Sequence, residues 1–78
     1  VDPEVKHRYA ELAYLAGHTG SDVTELYLSL AQEMPQHAAH YFDRLSRIYA
    51  TQGNTDQAER FRVFAARAGG EKAESDSP

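Results

Sequence analysis

The sequence predicts an all-α fold, with four antiparallel helices arranged as two hairpins. Three observations predict it. Apolar residues recur at i, i+3, i+4 and i+7 through four successive stretches. Two glycine turns, Gly17-His18-Thr19-Gly20 and Gly53-Asn54, interrupt that pattern where a helix must stop and reverse. Finally, Gly17 and Gly53 lie 36 residues apart, so the second half of the chain repeats the first in outline.

The first helix is expected from about Pro3 to Ala16. Asp2 caps it, Pro3 suits its first position, and Glu4 favours the positive end of the dipole. Val5, Tyr9, Leu12, Ala13 and Ala16 form its apolar stripe and are expected to be buried. Ser21 or Asp22 is the expected cap of the second helix, and Glu25 completes a capping box if Asp22 is the cap. Its apolar face is Val23, Leu26, Tyr27, Leu30, Ala31 and Met34, and Pro35 closes it because proline lacks the amide that the helix would need. The third helix is expected from about Gln36 to Gln52, burying Ala38, Tyr41, Phe42, Leu45, Ile48 and Tyr49. Gly53 is the expected terminator, with positive φ. Asn54 or Thr55 then caps the fourth helix, whose stripe is Ala58, Phe61, Phe64, Ala65 and Ala68 and which ends near Gly69-Gly70. Residues 71–78 are small, polar and aperiodic, and read as a disordered tail or linker after a single domain over 1–70.

A chain of 78 residues holds one small domain of modest stability. It has no cysteine, which removes disulfides and thiolate metal sites and suits a reducing, cytoplasmic compartment. A formal net charge of -4 argues against general binding to nucleic-acid phosphates. No apolar run is long enough to span a membrane, and no signal segment is visible. Because it starts at Val1 rather than Met, the sequence reads as a segment of a longer chain.

At the 36-residue offset, Val5 corresponds to Tyr41, Arg8 to Arg44, Tyr9 to Leu45, Ala10 to Ser46 and Leu12 to Ile48. After one residue is removed from the first turn, Val23 corresponds to Ala58, Leu26 to Phe61, Leu30 to Ala65 and Ala31 to Ala66. Ser46, Tyr49, Gly53 and Ala58 stand where the tetratricopeptide repeat family places a small residue, an aromatic, glycine and alanine. The second unit resembles that family, whose period is about 34 residues. Ala65 fits the later small position. The first unit is similar through Ala10, Gly17, Tyr27 and Pro35, but carries Ala13 in place of the aromatic, Val23 in place of alanine, and a longer turn. The resemblance covers residues 3–69 and implies a right-handed stack of two hairpins. The alternative fold is a four-helix bundle without repeats.

The resemblance also implies that the first and third helices line a concave face. Side chains off the apolar stripe would meet a protein or peptide there: His7, Arg8, Glu11 and Tyr14, with Leu15 beside them, then His40, Asp43, Arg44, Arg47 and Thr51. Arginine forks suit carboxylates of a partner. The competing reading is a solvated face with local pairs such as Asp43 with Arg47. The family's clamp for carboxy-terminal peptides uses lysine and asparagine where His7, Glu11, Asp43 and Arg47 stand, so that specificity is not expected here. The expected function is a scaffold or adaptor module; the alternative is a docking or self-associating helical bundle. Tyr14 and one of Tyr41 and Phe42 have no evident place within two hairpins and are candidates for surface covered by a partner or second copy.

Other chemistry finds little support. His37 and His40 lie three apart near Glu33 and Asp43, but their spacing matches no recognised ligand motif, and no metal or cofactor is expected. Ser29 and Ser46 have no base and orienting partner in a recognisable pattern, and Gly17-His18-Thr19-Gly20 lacks the lysine and preceding strand of a phosphate loop. Catalysis is not expected.

Overall fold

The computed structural model describes the backbone of residues 2–76 and the side chains of residues 2–69. Four α-helices follow one another: α1 (Pro3–Leu15), α2 (Ser21–Glu33), α3 (Ala38–Thr51) and α4 (Thr55–Asp76). No strand occurs among the described residues. Each helix packs on the next in the chain, α3 on α4 most extensively, so the fold is two helical hairpins joined through α2 and α3. It is slab-like, 41 × 31 × 17 Å.

Both glycine turns use the conformation that only glycine adopts freely. Gly17 has φ of 89° and Gly53 has φ of 79°, and no other described residue has positive φ. The turns are built alike. His18 N–H donates to Ala13 O and Asn54 N–H donates to Tyr49 O, recovering carbonyls that the helix ends leave unpaired. Asn54 Oδ1 then accepts from Gln57 N, capping α4. Asp2 caps α1 through the Glu4 amide.

The core is formed by Ala10, Val23, Tyr27, Leu30, Ala31, Tyr41, Leu45, Ile48 and Phe61. The expected faces of α2 and α3 supply most of it. Ser46 is also buried, and its hydroxyl donates to Ala58 O at 2.8 Å, tying α3 to α4 at a close approach of small residues. Phe42, Phe61 and Phe64 cluster with ring centroids 5.7–6.0 Å apart, and Tyr49 stacks on Phe61.

Five expectations need correction. In α1 the buried residue is Ala10, whereas Val5, Tyr9, Leu12 and Ala16 are exposed. The cause is topological: the backbone of α1 lies close only to α2 and its polar flank meets α3, so the face centred on Ala10 is covered and the larger stripe is not. α2 begins after Gly20, whose extended backbone occupies the cap position, and neither Ser21 nor Asp22 makes a capping bond. A 3-10 turn over Pro35–His37 precedes α3, which therefore begins at Ala38 rather than Gln36. Tyr41 and Phe42 are both accommodated within the two hairpins, Tyr41 fully buried and Phe42 among the phenylalanines. Finally, α4 passes through Gly69 and Gly70 to Asp76. Ser77 and Pro78, the end of the expected tail, lie outside the described residues.

Candidate functional site

The facing sides of α1 and α3 form an open groove of about 620 Å³. One wall is Glu4, His7, Arg8 and Glu11 of α1; the other is His40 and Tyr41 of α3 with Met34 and His37 at its end. The spacing of Glu4, His7, Arg8 and Glu11 keeps them on one helix face, since residues three and four apart are neighbours on the surface.

Glu11 organises the floor of the site. Its Oε1 accepts from Tyr27 Oη at 2.6 Å and from Arg44 Nε at 3.3 Å. Its Oε2 accepts from Arg44 Nη2 at 3.3 Å and lies 3.2 Å from His40 Nε2. Thus one carboxylate joins α1, α2 and α3. Desolvation pushes its pKa up, but hydrogen bonds from Tyr27, Arg44 and His40 outweigh that and hold the carboxyl at about 2. Burial, followed by the neighbouring Glu11 carboxylate, raises the Tyr27 phenol and the Tyr41 phenol above the usual range. Arg44 also lies over the Tyr14 ring, 4.4 Å from its centroid. Partial burial works against the Arg44 charge, but the bonds to Glu11 more than offset it.

Three histidines surround the Tyr41 ring. His7, His37 and His40 have ring centroids 5.7, 6.4 and 5.7 Å from it, and His7 Nδ1 is 3.0 Å from Tyr41 Oη. Among the described residues no group of three or more His, Asp or Glu side chains is disposed to hold a metal ion. Glu33 is turned elsewhere, to Lys6 on the other flank of α1 and to Ser29 one turn earlier in its own helix α2.

Of the nine residues singled out from sequence, His7, Arg8, Glu11 and His40 line the groove. Arg44 and Tyr14 support it from beside Glu11. The other three fall outside. Arg47 donates to Asp43 at 2.9 Å in a local exposed pair, and the Thr51 hydroxyl bonds back to carbonyls of its own helix. Sequence reasoning missed Glu4, Met34, His37 and Tyr41 as groove residues and Tyr27 as the anchor of Glu11. Tyr27 was legible only as a core aromatic, and which way its hydroxyl points depends on the crossing of α2 with α1. Comparison of the chain with family models, with curated proteins and with solved structures finds no match. No described helix is long and apolar enough to cross a membrane.

Proposed function

We propose that the chain is a protein-interaction module of tetratricopeptide-repeat kind, a scaffold or adaptor element that holds a peptide or an exposed segment of a partner in the groove between α1 and α3. The observation that carries this reading is the groove itself: an open, mixed polar and aromatic channel whose floor is fixed by the Glu11 network. A rigid floor lowers the cost of ordering on binding. Arg8 and His37 are exposed on its rim, with side chains free to meet a ligand, whereas Arg44 is committed to Glu11 and Tyr14. The role is binding rather than catalysis, and a cytoplasmic setting belongs to the same proposal.

The test begins with peptides selected against the chain from a random display library. Arg8→Glu combined with His37→Glu should weaken the selected peptides at least tenfold while leaving the melting temperature within about 2 °C, as expected for exposed positions. Peptides that bind this variant as tightly as the wild type would remove the groove from consideration. Arg44→Glu is unsuited to this purpose, because it sets two carboxylates against each other at a half-buried site.

The alternative, a docking or self-associating bundle, has a specific observation of its own. Val5 and Tyr9 are each 57% exposed, Leu12 63% and Leu15 72%. Single exposed apolar residues are ordinary, but four on one helix mark a surface made to be covered.

A further inference from the structure

The α1 stripe lies outside the groove and has its own logic. At the 36-residue offset, Val5, Tyr9 and Leu12 correspond to Tyr41, Leu45 and Ile48, all three fully buried where α3 packs in the body of the fold. In α1 the same face is open, because α2 covers the side centred on Ala10 and α3 meets only the polar flank of His7, Glu11 and Tyr14. The spacing Val5, Tyr9, Leu12, Ala16 is 4-3-4, the spacing found along the seam of a two-helix coiled coil.

We infer that this face pairs with α1 of a second copy, antiparallel and about a two-fold axis between residues 10 and 11. In that register Tyr9 meets Leu12 of the second copy and Val5 meets Ala16, each twice, so large and small side chains interdigitate. Flanking positions agree. Arg8 falls beside Leu15 of the other copy, which covers its aliphatic stem, and Lys6 falls beside Ala13, so no like charges face each other. Head-to-tail stacking of copies is disfavoured, because the α4 positions that correspond to Tyr27 and Leu30 of α2 are Arg62 and Ala65. The stripe offers on the order of 400 Å² per copy, about half of a standard interface, so the dimer is weak, with a dissociation constant above roughly 10 µM.

The chain has no cysteine, so single cysteines report the pairing directly. V5C and A16C both replace exposed side chains, and circular dichroism verifies that each variant retains its helicity. Mixed in a glutathione buffer, they should form the V5C–A16C disulfide at least tenfold more than either variant forms with itself. Like positions are separated by 11 residues along the antiparallel pair, about 16 Å, beyond disulfide reach. Preferential V5C–V5C linkage would mean a parallel pair, and a statistical mixture would mean random collision; either overturns the inference. Leu12→Glu should raise the dissociation constant at least tenfold in sedimentation equilibrium. Wild type that stays monomeric at millimolar concentration, or Leu12→Glu that associates like wild type, overturns it as well. Peptide binding in the groove is untouched by any of these results, so this inference and the groove reading stand or fall separately.

Discussion

At the scale of the residue, Glu11 is where most of the chain's electrostatics converges. Its carboxyl is held at about 2 in the fold against 4.5 in the unfolded chain, so the fold gains from its ionised form. A depressed carboxyl contributes stability that is present above the unfolded value and lost as pH falls through the folded one. Melting temperature should therefore fall between pH 4.5 and pH 2, and Glu11→Gln should lack that part of the fall. At pH 7 the same variant should be less stable by on the order of 2–3 kcal/mol, measured by urea titration. A variant whose acid transition matches the wild type would show that the ion network adds nothing. Gly53 was legible as a left-handed helix terminator because helix periodicity stops there and restarts two residues later. Its φ of 79° fits, and a Cβ placed on it would meet nothing within 4 Å. Gly53→Val should thus cost about 1–2 kcal/mol through backbone strain alone, and Gly17→Val a similar amount. Thermal melts of both variants check this, and an unchanged melting temperature for either would mean that its turn relaxes.

At the scale of the element, α2 and α3 could be read from sequence because their apolar stripes coincide with the faces that neighbours cover on both sides. α1 could not. Its stripe is as regular as theirs, but periodicity reports which side chains share a face and not whether anything lies against that face. Ala10, small and off the stripe, is what α2 covers. The groove was half legible: His7, Arg8, Glu11 and His40 were named from the helix face that the resemblance implied, whereas His37 and Met34 enter through the turn at Pro35, whose path no periodicity encodes. Unequal packing should give unequal local stability. Amides in the middle of α1 should exchange with solvent at least tenfold faster than those of α3 around Leu45 and Ile48, because α1 buries one residue and α3 four. Native-state hydrogen exchange by NMR measures this. Equal protection would mean that the two hairpins open only together.

At the scale of the whole molecule, the groove and the α1 stripe are different surfaces with different chemistry. One is floored by a charged network and ringed by histidines; the other is apolar and repeats, uncovered, the face that α3 buries. The two halves correspond in other ways: Ala10 and Ser46 are buried at matching places, and both turns are closed by the same backbone bonds. The slab is 17 Å across its shortest dimension, about two helix diameters or less. A core of that shape is a film one side chain deep, not a sphere. A sphere buries a growing fraction of its residues as it enlarges, so its heat capacity of unfolding per residue rises with size. A film lengthened hairpin by hairpin gains the same increment each time, and every residue in it stays one layer from water.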